Sequence, residues 1–247
     1  MKDQLKLAVD STQKAQRNYD LTKHLPDCDL DTLIYSAVNS PSKQNETHYC
    51  LYVYTDQKVI REIYNQTKLF SLMKDKSDTE KLFKEENGKF WQNKDMSVHN
   101  SQILANAIFV YVEERGTARS GDNMLAQQAT DVTTETYRNY MEQINYSIGI
   151  SVGELILTAS LLGYKTGLCS AFAKDKVQKI IGSTNLPKLI VGVGYEIAGT
   201  DRRLHAETLN RDVAEKFRTG PDDEHWRFPT FTKDIKVLIN GTNTSRT

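Results

Sequence analysis

The sequence is poor in the residues that bind metals or form disulfides. Its three cysteines, Cys28, Cys50 and Cys169, include no CxxC pair and form no even framework. This pattern argues against a disulfide-stapled secreted domain, and it lacks the ligand spacing of a zinc site. The five histidines are scattered along the chain and none has metal-ligand spacing. We therefore expect neither structural disulfides nor a bound metal.

Several short motifs that carry known chemistry are also missing. No GxGxxG follows a strand, and there is no GK[ST] phosphate loop, no GxSxG elbow and no HExxH helix. These absences argue against a Rossmann dinucleotide domain, a P-loop nucleotide hydrolase, an α/β-hydrolase and a zinc protease. A nicotinamide, if the protein uses one, would have to dock transiently.

The sequence has no excess of charge and no long hydrophobic run. Its 32 basic and 32 acidic residues cancel, so no long-range field attracts nucleic acid or an anionic membrane. The longest apolar run, Leu155 to Leu162, is interrupted by Thr158 and Ser160 and is too short to span a bilayer. The stretch from Met1 to Arg17 lacks the apolar core of a signal peptide. We expect a cytoplasmic protein without nucleic-acid or membrane partners.

Hydrophobic periodicity predicts one domain of mixed α and β structure over residues 1–247. Predicted helices cover the opening stretch with Leu5, Ala8, Val9 and Thr12 on one face, a segment capped by Asp29 and ending near Ala37, the pieces 60–72 and 80–91, the long segment 123–162, and 174–181. Predicted strands cover residues 49–55, 107–112, 166–170 and 189–194. The helix half from Ile144 to Leu162 is apolar nearly all round, which predicts burial at the domain centre. The tail 204–247 either wraps a partner subunit or packs on its own surface.

Four segments offer groups that bind flat or anionic ligands. Arg17-Asn18 follows the first helix, and a polar turn runs from Ser40 to Asn45. Gly163 to Ala171 follows the central helix, and the last predicted strand leads through Gly194 and Tyr195 to Arg202-Arg203. Arginine suits phosphate, and amides and glycines suit close contact with a heterocycle. Each segment alone is equally compatible with a solvated cap, a surface turn, a plain helix-to-strand turn or a solvated basic pair. Cys169, among small apolar neighbours, indicates a packed thiol rather than a nucleophile.

The order and spacing of the four segments resemble the nitroreductase family of FMN enzymes over nearly the whole chain. The matching features are Arg17-Asn18, the turn Pro41-Ser-Lys-Gln-Asn45, the segment from Asn100 to Val112, the helix ending at Gly163, and Gly194-Tyr195 followed by the arginine pair. The resemblance implies an α+β, three-layer fold with a mostly antiparallel central sheet and a long buried helix. It also implies a homodimer with two FMN sites at its interface.

The resemblance further implies a set of cofactor-binding residues and no catalytic side chain, because the flavin carries the chemistry. Arg17 and Asn18 would contact the phosphate end and the ring edge, with Arg202 or Arg203 clamping the phosphate. Asn100 or Gln102 would face the ribityl or pyrimidine side. The ring would lie along Leu168, Cys169, Ser170 and Ala171. The other subunit would supply Pro41, Ser42 and Asn45, with Lys43 and Gln44 beside them.

The function implied is ping-pong transfer of hydride from NAD(P)H to flavin N5, and then of electrons to a nitroaromatic or quinone. The first motif departs from the family, because Asn18 replaces a serine and Asp20 replaces a second basic residue. Lys43 is a candidate for the missing positive charge. The departure leaves open a flavin-binding protein of this fold that has no reductase turnover or that consumes the flavin itself. A separate alternative is a flavin-dependent reductive dehalogenase, whose lid would fall in the polar residues 74–95.

Overall fold

The computed structural model describes residues 2–42, 45–46, 48–67, 70–71, 97–114, 131–206, 238–239 and 242–243. Its helices are α1 (Lys2–Thr12), α2 (Asp27–Val38), α3 (Gln57–Tyr64), α4 (Glu135–Leu161) and α5 (Lys174–Ile181), with a 3-10 turn at Ser101–Ile103. Its strands are β1 (Tyr49–Tyr54), β2 (Phe70–Ser71), β3 (Ser97–Val98), β4 (Ala107–Glu113), β5 (Lys165–Cys169), β6 (Pro187–Gly194), β7 (Leu238–Ile239) and β8 (Thr242–Asn243).

The main sheet has four strands in the order β1-β4-β6-β5, and all its neighbours are antiparallel. Strand β4 lies inside this sheet, and its side chains alternate between two cores as the pleat requires. Ala107, Phe109 and Tyr111 face the core formed with α2 and α4, whereas Ile108 and Val110 face the core formed with α3 and α5. The predicted α+β, three-layer fold is therefore confirmed.

The long helix α4 begins and ends where local chemistry dictates. The hydroxyl of Thr134 accepts a hydrogen bond from the backbone N–H of Tyr137 at 3.2 Å, which caps the N-terminus. At the other end Gly163 takes a positive φ of 88°, and the N–H of Tyr164 returns to the carbonyl of Ala159 at 2.8 Å. A residue with a side chain would be strained at this φ, so the helix stops at the predicted glycine.

Burial of α4 is one-sided within the chain, which differs from the predicted all-round burial. Its inner face, including Ile144, Ile148 and Leu155, packs over the sheet. Its outer face leaves Tyr146, Ile150 and Leu161 exposed. Within the part of the chain that the structure describes, α4 is the one helix long and apolar enough to cross a membrane. Its packing over the sheet is that of a core helix.

Other sequence predictions need correction. Asp29 lies inside the first turn of α2, whose N-cap is Pro26, so the helix begins three residues earlier than expected. The predicted apolar face of α1 is largely open: Ala8 is buried, but Leu5 and Val9 are exposed. The helix predicted over 60–72 is the shorter α3.

Some predictions lie beyond the described part of the chain. The helix at 80–91, the first part of the 123–162 segment and most of the 204–247 tail are outside the described residues.

Candidate functional site

An extended segment after α1 brings Arg17 against the far edge of the sheet. The N–H of Gln16 donates to the carbonyl of Thr166 in β5 at 2.8 Å, and the N–H of Asp20 donates to the carbonyl of Tyr195 after β6 at 3.0 Å. The segment therefore crosses the ends of two strands. Between these contacts, the backbone of Arg17 is the point where distant parts of the chain meet.

Three hydrogen bonds hold the backbone of Arg17. Its N–H donates to the carbonyl of Arg202 at 3.1 Å, and its carbonyl accepts from the N–H of Ala206 at 3.1 Å. The same carbonyl accepts from the hydroxyl of Ser101, in the 3-10 turn, at 2.7 Å. The two arginine-bearing motifs, 185 residues apart in sequence, are thus joined through their backbones.

The guanidinium of Arg17 is largely withdrawn from water. Burial lowers the pKa of Arg17 to about 10, and the nearby Tyr19 partly opposes this shift. With the amide oxygen of Gln102 facing the guanidinium, that oxygen accepts from Nη1 and from Nη2, the latter at 3.2 Å. The amide nitrogen of Gln102 then donates to the carbonyl of Leu168. Arg17, Gln102 and the end of β5 therefore form one cluster.

The side chain of Asn18 is hydrogen-bonded within the protein. It is fully buried, and its amide nitrogen donates to the carbonyls of Asp201 and Leu204 at 2.9 and 2.8 Å. Its amide oxygen accepts from Gln16 at 3.1 Å. Because its hydrogen-bonding groups are used within the protein, we assign Asn18 to positioning the 201–204 loop rather than to contact with a flavin.

The structure distinguishes the two arginines between which the sequence could not choose. Arg203 forms an ion pair with Asp201, with Nε at 3.1 Å and Nη2 at 2.6 Å from the carboxylate. Arg202 forms no side-chain hydrogen bond or ion pair with another described residue, and burial lowers its pKa. Arg202 is therefore the better candidate for an anion.

Exposure varies among the last two residues of β5 and the two that follow it. Leu168 is half-buried and Cys169 is buried, whereas Ser170 is exposed and Ala171 half-buried. The thiol of Cys169 lies 3.6 Å from the carbonyl of Ala171, and burial raises its pKa, as expected of a packed and unreactive thiol. The exposed end of β5 is where a flat ligand can approach the backbone.

Glycine allows the 3-10 turn to lie directly against β5. A Cβ at Gly167 would come within 2.6 Å of the carbonyl oxygen of Gln102 and 2.8 Å of that of Gln16. This close approach places the Gln102 side chain at the strand. Asn100 instead caps the turn, since its side-chain oxygen accepts from the N–H of Gln102 at 3.1 Å. Of the two predicted alternatives, Gln102 is the one that joins the Arg17 cluster.

The polar turn between α2 and β1 lies elsewhere in the chain. We call the described residues Pro41, Ser42, Asn45 and Glu46 the 41–46 turn; Lys43 and Gln44 lie outside the described residues. Pro41 and Asn45 are exposed. A cavity of about 280 Å³ lies beside the turn, lined in part by Ser40, Ser42, Asn45, Glu46 and Tyr49.

Two residues beside Arg17, His205 and Ser101, were not predicted from the sequence. His205 is fully buried beside Arg17, and its Nε2 donates to the carbonyl of His99 at 2.7 Å. Burial lowers the pKa of His205 to about 4; the hydrogen bond to the carbonyl of His99 opposes this shift, and the charge of Arg17 adds to it. Ser101 holds the carbonyl of Arg17. No local pattern marks either residue, because their partners lie 84 to 188 residues away.

Comparison with known proteins identifies the family. The family model for the nitroreductase family matches residues 12–195. The chain belongs to the nitroreductase family. Family membership implies an oxidoreductase, and it agrees with the resemblance drawn from motif order.

Solved structures at low sequence identity have the same fold. A Staphylococcus epidermidis protein described as an NAD(P)H:FMN oxidoreductase is 14% identical, with a TM-score of 0.53, covering 80% of this chain and 89% of its own. An Exiguobacterium sibiricum protein described as a nitroreductase, in complex with FMN, has the same identity and TM-score, covering 80% and 90%. A nitroreductase family protein from Clostridium novyi NT is 17% identical, with a TM-score of 0.50, covering 79% and 88%. The search of curated proteins finds no match.

The donor set of the Arg17 cluster fits a phosphorylated flavin. Two arginines suit a phosphate, because guanidinium groups give paired, charge-assisted hydrogen bonds to its oxygens. The amide of Gln102 can donate and accept, which suits the polar edge of a flavin. In this nitroreductase-family chain the two arginines are far apart in sequence. The backbone hydrogen bond from the N–H of Arg17 to the carbonyl of Arg202 joins their segments.

Proposed function

We propose that this chain is an FMN-dependent oxidoreductase that takes hydride from NAD(P)H and passes electrons to a nitroaromatic or quinone by a ping-pong mechanism. The observation that carries the proposal is the cluster of Arg17, Gln102 and Leu168 at the end of β5, to which the loop bearing Arg202 is joined by a backbone hydrogen bond. It is supported by family membership and by the FMN complex of the Exiguobacterium protein, which has this fold.

A bound phosphate would offset the hydration that the guanidinium groups of the site lose on burial. Burying a guanidinium removes its hydration, and the lowered pKa of Arg17 and of Arg202 expresses that cost. An anion beside these groups restores the lost interaction. Arg203 contributes less, because Asp201 already neutralises it.

We propose that the ring of the flavin lies along Leu168 to Ala171 with Gln102 at its polar edge. When bound, FMN would supply the redox chemistry, accepting hydride and then donating electrons. The side chains would bind and orient; none need act as acid or base, and the packed Cys169 thiol is not proposed as a nucleophile. Pro41, Ser42 and Asn45, with Lys43 and Gln44, would come from the other subunit.

We propose a homodimer formed through the outer face of α4. The apolar stripe of this face comprises Tyr146, Ile150, Leu157 and Leu161, which share one side of the helix by their spacing. Between them, a Cβ added at Gly149 or Gly153 would meet nothing within 4 Å, so a second backbone can approach closely. Exposed apolar stripes of this kind are typical of subunit contacts. We retain the cytoplasm as the proposed compartment.

Anaerobic mixing of the FMN-loaded protein with NADH or NADPH tests the proposal. We expect the visible absorbance of the flavin to bleach and then to return when a quinone or nitroaromatic is added. If the absorbance bleaches but does not return, the proposed acceptor class is wrong. If FMN binds tightly but its absorbance does not bleach, the alternative of a flavin-binding protein without reductase turnover is favoured. The presence of Asp20 in place of a basic residue is the reason for considering that alternative. A protein that binds no FMN would contradict the proposal itself.

A further inference from the structure

Two buried serines on α4 anchor both ends of the 41–46 turn. Ser147 and Ser151 lie one helical turn apart and therefore share a face of the helix. The hydroxyl of Ser151 donates to the carbonyl of Ala37, near the end of α2, at 2.6 Å. The hydroxyl of Ser147 lies 2.8 Å from Nδ1 of His48, just before β1. The chain between these two contacts is the turn.

The link through His48 extends into the turn itself. His48 is fully buried, and its Nε2 lies 3.0 Å from the carboxylate of Glu46. Because an ionised carboxylate only accepts, Nε2 donates to it. The backbone carbonyl of Glu46 accepts from the hydroxyl of Ser42 at 2.7 Å. A continuous hydrogen-bonded chain therefore runs from α4 through His48 and Glu46 to Ser42.

The second link fixes the start of the turn. The carbonyl of Ala37 also accepts from the hydroxyl of Tyr49 at 2.5 Å and from that of Ser40 at 3.3 Å. Ser151 is held in turn by Tyr111, whose hydroxyl lies 3.0 Å away. Both ends of the turn therefore rest on α4 and on strands of the main sheet.

The order Glu46, His48 and Ser147 resembles a hydrolytic triad, but its burial rules out that role. The serine is 2% exposed and the histidine 0%, so no substrate reaches the hydroxyl. The serine hydroxyl also lies 2.9 Å from the carbonyl of Gln143, inside the helix. These hydrogen bonds can orient the 41–46 turn, but Ser147 cannot act as a nucleophile toward a ligand.

We propose that His48 is a positioning residue that holds the 41–46 turn on α4, so that the turn reaches the cofactor bound by the other subunit. This inference rests on the proposed function. The inner face of α4 carries the two serines and its outer face carries the proposed dimer contact. One rigid helix therefore fixes the turn relative to the partner.

The first test measures FMN affinity by quenching of flavin fluorescence. His48→Leu removes both hydrogen bonds at similar volume, and we expect the Kd for FMN to rise about tenfold or more. Ser147→Ala removes one bond, and we expect a rise of about threefold. His48→Gln, which retains a donor toward Glu46, should recover part of the loss. Ser160→Ala is the matched control, since this serine of α4 donates to Ala8 at 3.0 Å, away from the turn.

The second test uses mixed dimers of Arg17→Ala and His48→Leu. If the turn acts across the interface, one site in the mixed dimer carries both defects and the other carries neither. We expect one FMN per mixed dimer, bound with the wild-type Kd. A mixed dimer that lacks a site with the wild-type Kd would overturn the inference. Unchanged FMN affinity in both His48→Leu and Ser147→Ala would also overturn it.

Two other results have separate meanings: a His48 variant that does not fold, and a wild-type protein that binds no FMN. If His48→Leu does not fold, as judged by circular dichroism, Ser147→Ala replaces it in both tests, and wild-type affinity in that variant overturns the inference. If the wild-type protein itself binds no FMN, the proposed function fails, which is a different result from intact wild-type binding with an unaffected His48 variant.

Discussion

At the scale of single residues, neighbours with the same chemistry have different roles because their partners differ. Arg202 and Arg203 are adjacent in sequence, yet the second is paired with Asp201 and the first forms no such pair with a described residue. Asn18 likewise looks like a ligand-facing amide in the sequence, but its hydrogen bonds go to the 201–204 loop. Binding capacity therefore follows from what a side chain already contacts.

Replacing the two arginines separately should show this difference. We expect Arg202→Ala to weaken FMN binding by at least about tenfold, because a charge-assisted contact to phosphate is lost. We expect Arg203→Ala to change the Kd by less than about threefold, since its partly exposed ion pair contributes little. Fluorescence titration of both variants checks this, and a larger loss in Arg203→Ala would contradict the assignment.

The buried His205 predicts a dependence of stability on pH. Its pKa in the folded protein is lowered to about 4 from an ordinary value of 6.5, because it is buried. The unfolded chain therefore binds the extra proton first, and stability from this group is full above pH 6.5 and is lost as the pH falls toward 4. The loss amounts to about 3 kcal/mol.

Chemical denaturation at pH 7 and pH 4 measures this effect. In His205→Gln, whose amide keeps a donor toward the carbonyl of His99, the free energy of unfolding should lose about 3 kcal/mol less over this range than in the wild type. Parallel losses in the two proteins would show that His205 does not carry the effect.

At the scale of elements, α4 serves two surfaces at once. Its inner face packs on the sheet and holds the ends of the 41–46 turn. Its outer face leaves Tyr146, Ile150 and Leu161 exposed within the chain, with Leu157 half-buried. A helix that is apolar on both sides is expected to be covered on both sides. Within the homodimer that we propose, a second copy covers the outer face.

A charge placed on the outer face of α4 should separate the subunits. Ile150 is 43% exposed, and Ile150→Glu would bury a carboxylate in the proposed interface, weakening the dimer by about a hundredfold or more. The matched control is Leu186→Glu, because Leu186 is 41% exposed and precedes β6, away from the α4 stripe. Sedimentation measures both variants. A dimer that survives Ile150→Glu would contradict the proposed interface.

The elements were predictable where one local rule decides them. The aromatic and β-branched composition of Tyr49 to Tyr54 predicts β1, and Gly163 predicts the end of α4. The one-sided burial of α4 was not predictable, because hydropathy does not distinguish a core from a subunit contact. The helix predicted over 174–181 is the observed α5.

At the scale of the whole molecule, the candidate site depends on contacts between distant parts of the chain. The order of motifs in the sequence indicated which segments meet, and the structure joins Arg17 to Arg202 and Gln102 to β5. The contact of Gln102 with Arg17, and the burial of His205 beside Arg17, follow from packing that no local pattern encodes. The fold was therefore more predictable than the individual contacts.

We propose that two copies of the chain together hold FMN. Titrating FMN into the purified, cofactor-free protein by isothermal calorimetry, with sedimentation of the same sample, tests this proposal. We expect a dimer that binds one FMN per subunit, with binding strongly weakened in Arg17→Ala. A monomer, or a protein that shows no saturable binding of FMN, would contradict it.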